Sequence, residues 1–470
     1  MMRSLTKCLH LSITLSCMCC FLPTSGVRAE SANVVSGYYQ EPEQNSRAKN
    51  ELLSPMTLDE RYGRNEIPAE RLQGTITLNR AVEEAAAHNK EVREANLQIS
   101  RYKWDYLSVE AGRLPNIRFL GYLSEQTVNS LLVPARPNAF LFLSALFPVT
   151  QQYKIGLEAR VAKLQRVIAA ERLRQTLDET KSKVKTAYYK LVLDQSLLAD
   201  IQDSIRYLNE LETTVADQIK RGNSLKVDEM VVAAKLAKAE YEATKARNTF
   251  SVDRERLNQL LGRELSAGVT LEAIPPVGES ELNVPQAERQ ALSRRPEIRE
   301  AEARVRQLNA EKRFIMAEYI PNVSVGVVYI ALPGFNNSLF PRNILGPGIF
   351  INYNAWDWGK KAMRARSRGR EQQASALAAE TVKEDVIIDL HTQINKLTEA
   401  RQLVRTTQLA RAASREQMRV SLNRYKYTSA KLSDVMEAQS NLADANNSYH
   451  EALLAFWEAK AQFDRAVDAD

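Results

Sequence analysis

The sequence predicts a mainly α-helical fold that carries four β-strands and is built from two equivalent units. Three observations predict it. The first is an internal repeat at a fixed offset of 206 residues: Pro115-Asn116 returns as Pro321-Asn322, and Glu91, Arg93, Glu94 and Ala95 return as Glu297, Arg299, Glu300 and Ala301. Asp228, Leu236, Ala239 and Phe250 return in the same register as Asp434, Leu442, Ala445 and Phe456. A repeat of this length without insertion marks a duplicated architecture. The second is the placing of helix breakers: no proline lies between Pro148 and Pro275, and neither glycine nor proline occurs from Arg370 to Asp470. Helices far longer than the usual ~11–12 residues follow. The third is an alternating apolar stretch after each Pro-Asn, the two-residue period of a strand.

Taken in order, residues 1–29 read as a secretory signal. Arg3 and Lys7 open it, Leu9 to Leu22 is a short apolar run, and Val27-Arg28-Ala29 offers a small-residue cleavage site. The run is shorter than the ~20 residues of a spanning helix; a membrane-anchored N-terminus is the other reading. All four cysteines (Cys8, Cys17, Cys19, Cys20) lie in this segment, and Thr14-Leu15-Ser16 before Cys17 matches a lipid-acceptor signal poorly. Cleavage after Ala29 leaves no cysteine, so neither a disulfide nor a thiolate metal site is expected.

Residues 30–75 are polar and irregular and read as a linker or extended segment. The first repeat, 76–264, opens with a helix from Leu78 to about Gly112, stopped at Leu114-Pro115. Strands follow at Asn116–Glu125 and Ala139–Val149, then a helix from Lys154 to Arg221, a break at Gly222-Asn223-Ser224, and a return helix to Leu261-Gly262. A connector, 265–285, holds Pro275-Pro276. The second repeat, 286–470, places strands at Asn322–Leu332 and Asn343–Ala355, then a helix from Gly359 to Lys426, a turn near Thr428-Ser429, and a last helix. Strands of about 10 residues suit a tilted crossing of a bilayer, and aromatic residues near their ends suit an interfacial girdle. Soluble hairpins beneath a helical body fit the same pattern.

The last helix carries a heptad seam: Leu432, Val435, Gln439, Leu442, Asn446, Tyr449, Leu453, Phe456, Lys460, Phe463 and Val467, flanked by Ala438, Ala445, Ala452 and Ala459. The 3.5-residue period predicts coiled-coil packing.

Composition excludes more than it assigns. The chain carries 64 basic and 57 acidic residues. Removing the three basic residues of the signal leaves a small excess interleaved along the helices, which is no signature of nucleic-acid binding. The four histidines (His10, His88, His391, His450) lie far apart, none with metal-ligand spacing. No phosphate loop or nucleophile elbow is present, so the chain reads as a non-enzyme, without a cofactor or metal centre. Lone helical histidines read as solvated. Asp434 and Glu437, three apart at a helix start, share a face. Around a symmetry axis such carboxylates form cation-favouring rings; as an ordinary helix start they complement the dipole.

The repeat, Leu114-Pro115-Asn116 with Ile320-Pro321-Asn322, Trp356-Asp357-Trp358-Gly359, and the run from Arg424 to Gln439 together resemble the TolC family of outer-membrane efflux proteins over about residues 76–470. The resemblance implies a homotrimer in the outer membrane, in contact with its lipid and extending into the periplasm. Four strands per chain would build one twelve-stranded transmembrane β-barrel, and the antiparallel coiled-coil hairpins a periplasmic α-barrel. It also implies a passive exit duct of a tripartite efflux or type I secretion system, with a periplasmic adaptor and an inner-membrane pump as partners. An envelope-spanning coiled-coil scaffold without channel activity is the alternative. Carried over residue by residue, Asp434 and Glu437 match the pore constriction. Asp228 and Tyr425 match positions linking neighbouring hairpins in the closed tip, where Gly222, Thr428 and Lys431 complete the gating and adaptor-docking region. Thr428 stands where the family's second tip has glycine, and Ala430 at its basic latch position, with Lys431 next to it.

Overall fold

Capping side chains and prolines set the element boundaries, and they do so twice. Thr77 accepts the Arg80 N–H and starts α1, Leu78–His88. Asn89, in extended conformation, then ends α1 and starts α2, Lys90–Ala111: its Oδ1 accepts the N–H groups of Glu91 and Val92 at 2.8 and 3.3 Å. The single helix expected from Leu78 to Gly112 is therefore two, because a side-chain cap at Asn89 competes with the helix interior. The second repeat breaks at the equivalent Arg295, between α5, Val284–Arg294, and α6, Pro296–Ala317. There Pro296 occupies the first helical turn and pushes Arg295 out of helical geometry.

The computed structural model describes residues 76–125, 137–275, 277–278, 283–332, 341–427 and 430–467, all within the unit Thr57–Asp470. The expected signal, the 30–75 segment, and Thr428 with Ser429 lie outside them. The strands are β1, Asn116–Glu125; β2, Pro137–Pro148; β3, Asn322–Ala331; and β4, Asn343–Asn352. The long helices are α3, Gln151–Lys220; α4, Lys226–Leu261; α7, Lys360–Lys426; and α8, Leu432–Val467. With 70 residues, α3 is about 105 Å long. The pairs α2/α6, β1/β3 and α4/α8 begin and end in the 206-residue register of the repeat. β4 stops at Asn352 instead of Ala355 because its partner β3 begins at Asn322, directly opposite. In the connector, Ile76 forms a parallel bridge with Leu271, and the Tyr188 hydroxyl donates to Ile76 O and accepts from Glu272 N–H.

The strands form one antiparallel sheet in the order β1-β2-β3-β4. Its register puts Ile117, Ala145, Val327 and Pro347 in one row and Phe119, Leu143, Tyr329 and Leu345 in the next. That face also carries Leu123, Phe147, Ile349 and Ile351, all exposed, with Leu123 at 80%. The opposite face includes Arg118, Ser144, Ser324, Gly326, Gly346 and Gly348. Gly326 has a steric reason: a Cβ there would lie 2.0 Å from the Ala145 carbonyl oxygen of β2. Among the described residues no helix is long and apolar enough to cross a membrane.

The helices pack as two rows. Next to the strands the neighbours run α2-α3-α6-α7; towards the hairpin turns they run α4-α3-α8-α7. The core is duplicated like the sequence. Ala81, Ala85, Val92, Val184 and Leu261 are buried in the first half, and Ala287, Ala291, Ile298, Leu390 and Val467 at the equivalent positions of the second. The seam of α8 differs from the expected one in its second half. Val435, Leu442, Tyr449, Phe456 and Phe463 interleave with Ala438, Ala445, Ala452 and Ala459, with Ala438 and Ala452 fully buried. Gln439, Asn446 and Lys460 flank this seam and reach polar partners: Ser204, Arg411 and Asp464. Small residues admit the closer helix, so they take the interior.

Candidate functional site: the hairpin tips

The return helices of the two hairpins start on one plan. In the first, Gly222 takes φ +77°, which a side chain rarely adopts; the next N–H, of Asn223, then bonds back to Gln218 O at 2.9 Å. α4 starts after Leu225. The carboxylate of Asp228 accepts the Leu225 N–H at 3.0 Å and the Ser224 hydroxyl at 2.6 Å. These two bonds hold the Asp228 carboxyl below its ordinary range, the hydroxyl contributing most. In the second tip the equivalent Asp434 accepts the Lys431 N–H at 3.2 Å, and Ser433 donates to its other oxygen. Each aspartate so satisfies an orphan donor of its helix start and sits at the positive end of the dipole.

The structure brings Asp228 and Tyr425 together within one chain. Tyr425, near the end of α7, is 6% exposed and packs with Leu208, Leu211, Val215, Val232, Leu432 and Val435. Burial raises its phenol pKa and the charge of Asp228 adds to the rise, while the Ser224 hydroxyl opposes it. Its hydroxyl lies within electrostatic reach of both groups without a well-formed hydrogen bond. Tyr207 of α3 lies beside it, and burial likewise pushes that phenol up. Asp434, Glu437 and Lys431 are all exposed. Glu437 does not join the capping pair, and Lys431 enters the tip through its backbone. Gly222 and Lys431 flank the two turns; Thr428 is outside the described residues.

Two ionic clusters higher up were not foreseen. Asp194 of α3 and Asp253 of α4 face each other with Lys190, whose ammonium lies 3.0 Å from Asp253. Burial raises the Asp194 pKa to about 6, Asp253 pushes the same way, and Lys190 and His450 oppose it. His450 is buried, contrary to the solvated placement expected of it, and bonds to Asp200 at 2.9 Å. That bond, with Arg411 at 3.2 Å, holds the Asp200 carboxyl low against burial. The partners of the two clusters stand on four helices, α3, α4, α7 and α8, and no local spacing announces them. Among the described residues no three His, Cys, Asp or Glu side chains gather as for a metal ion. The arrangement positions charge and packs helices.

Comparison with known proteins bears on this geometry. Residues 288–467 match the family model described as outer membrane efflux protein. Among solved structures, the outer-membrane channel OprN superposes with a TM-score of 0.71 at 17% identity, covering 84% of this chain and 90% of its own. The outer membrane protein VceC of Vibrio cholerae gives 0.69 at 15% identity, with 83% and 95% covered. The CmeC outer membrane channel of Campylobacter jejuni gives 0.70 at 12% identity, with 93% and 94% covered. No curated protein matches the sequence. The fold of this chain is the fold of these channels.

Proposed function

We propose, on the premise that this chain is an outer membrane efflux protein by its second half and an outer-membrane channel by its fold, that it is the passive exit duct of a tripartite efflux or type I secretion system. It is located in the outer membrane and reaches into the periplasm. One observation carries the reading: each layer of the chain ends in one open edge from the first half and one from the second. The sheet leaves β1 and β4 as its edges. The row of helices next to the strands leaves α2 and α7, and the row towards the tips leaves α4 and α7. Copies joined head to tail would cover all three pairs of edges at once. Four strands cannot close a barrel, because the smallest transmembrane barrels have eight; a homotrimer supplies twelve. The apolar face of the sheet, with Leu123, Leu345, Ile349 and Ile351 exposed, would then meet lipid. Soluble hairpins of a scaffold would leave that face in water, and no observation favours them.

The duct has no chemistry of its own, and the energy comes from the partner pump. In the assembled ring Asp434 and Glu437 stand at the constriction, and Asp228, Tyr425, Gly222, Thr428 and Lys431 form the region that gates and docks the adaptor. The joint packing of Tyr425 against Leu208 and Val435, beside Asp228, supports a tip whose two hairpins move together. Single-channel recording in a planar bilayer tests the reading. Long-lived cation-selective openings are expected, and Asp434→Ala with Glu437→Ala lowers their selectivity. An oligomer that inserts without conducting would contradict the duct; unchanged selectivity in the double variant would contradict the acidic constriction alone.

A further inference from the structure

The seam where the two halves meet inside the chain has a second version at the outer edges. Inside, α3 and β2 of the first half pack on α6 and β3 of the second. Shifted by one repeat, the same relation sets α7 and β4 against α2 and β1, which are the open edges. In a closed ring of copies the outer seam is therefore the inner seam repeated, and this inference rests on that reading.

Three side chains make polar contacts across the inner seam at the junction of strands and helices: the Thr150 hydroxyl, which donates to the Pro321 carbonyl at 2.6 Å and whose equivalent is Trp356, and two whose equivalents keep polar groups. The Lys154 ammonium donates to the carbonyl of Ile320 at 2.7 Å and to Oδ1 of Asn322. Three residues earlier, Gln151 Oε1 accepts the Ser324 hydroxyl at 3.3 Å. The equivalents of Lys154, Ile320 and Asn322 are Lys360, Leu114 and Asn116. Lysine and asparagine recur, and the third group is a backbone carbonyl. The equivalents of Gln151 and Ser324 are Asp357 and Arg118, so a neutral pair becomes a carboxylate and a guanidinium. Lys360, Asn116 and Arg118 are all exposed, and among the described residues no side-chain partner engages them. The other cross-half contacts are not kept in this way: Asp200 with His450 becomes Thr406 with Thr244, and Tyr189 with Trp457 becomes Asn395 with Ser251.

We infer that Lys360 of one copy clasps the Leu114 carbonyl and Asn116 side chain of the next, with Asp357 paired to Arg118 beside it, so that copies join head to tail at the strand–helix junction. Asp357 has capacity for this. Its carboxylate already accepts the N–H groups of Gly359 and Lys361, and a carboxylate offers about four acceptor sites. The clasp fixes register as well as contact, since it ties the first residue of β1 to the first residue of α7.

The test uses the full chain in detergent with Lys360→Cys and Asn116→Cys, treated with a short bismaleimide. Covalent dimers and trimers on a denaturing gel are expected, absent from either single variant. Lys154→Cys with Asn322→Cys, across the inner seam, should react within one chain and stay at monomer mass. Light scattering on the same samples reports assembly. An oligomer whose inner pair reacts while the outer pair gives no interchain product overturns the clasp and leaves the duct standing. A monomeric parent chain overturns both. Arg118→Glu gives a second reading that keeps Lys360 and Asn116 in place: the oligomer should dissociate at a lower temperature than the parent, and more so than Arg118→Gln. Equal heat resistance of all three overturns the ion pair.

Discussion

At the break between α1 and α2, Asn89 caps the following helix and sends its amide to the Leu260 carbonyl at 2.9 Å, while Glu91 pairs with Lys183 of α3 at 3.2 Å. At the equivalent break in the second half the glutamate is kept as Glu297, but the lysine position holds Asp389. Two carboxylates now stand where one carboxylate and one ammonium stood. The third position has changed with them: Asn89 is replaced by Arg295, which is 5% exposed and binds Glu297 at 2.9 Å and Asp389 at 2.7 Å. The backbone plan recurs in both halves, but the cation has moved from α3, as Lys183, to the break itself, as Arg295, where one guanidinium serves two carboxylates. The lesson is that a duplicated fold keeps a cation beside the retained glutamate without keeping the position that supplies it.

The largest effect should come from breaking the second solution. Arg295→Asn leaves Glu297 and Asp389 facing each other, half-buried and unpaired. A loss of about 2–4 kcal/mol is expected, below the full cost of a buried pair because both carboxylates reach solvent. Adding Asp389→Lys rebuilds the arrangement of the first half and should recover most of it. Denaturant unfolding in detergent reads both, and no recovery in the double variant would separate the two changes. Asn89→Ala comes next, at about 1–2 kcal/mol, through a lost cap. Lys183→Met should cost at most about 0.5 kcal/mol, since that pair is exposed.

pH separates the halves further. Burial alone would raise the carboxyls of Asp389 and Glu297, but the hydrogen bonds from Arg295 outweigh it and hold both below their ordinary values. Their contribution to stability is complete above pH ~4.5 and is lost as pH falls through the lowered folded values. Asp194, in the first half, has the opposite sign. Its folded pKa of about 6 lies above the ordinary value, so stability rises as pH falls from about 6 towards 4. Asp194→Asn should raise the melting temperature at pH 8 and leave it nearly unchanged at pH 4. An equal shift at both values would mean that the gain comes from packing and not from charge.

Much of this architecture could be read along the chain. The offset between Pro115 and Pro321 carries through to the buried pairs Val92/Ile298 and Leu261/Val467, because a repeat preserves which positions face inward. The break at Asn89 is not legible for a local reason: asparagine in a helical run is common, and the capping bonds of its Oδ1 to Glu91 and Val92 go with a bond of its amide to Leu260, far away in sequence. The α8 seam is half legible: the alanines stand out in the sequence, but apolar periodicity ranks the large residues above them and so sets them at the flanks, whereas the packing takes them inside. At the tips, the placing of Asp228 beside Tyr425 depends on two hairpins packing side by side, which no single segment encodes. His450 was read as solvated because its partner, Asp200, lies 250 residues away.

One helix carries the main contacts between the first half's long hairpin and the second half. α3 meets α6 near the strands and α8 towards the tips, without a break along about 105 Å. Mechanically it is the pin of a hinge, and the two halves are its leaves. An unbroken pin lets the leaves swing about it but leaves little freedom to slide along it. In a ring of such hinges, the width of the opening would be set by the sum of small angles, with every strand–helix junction left at its original height.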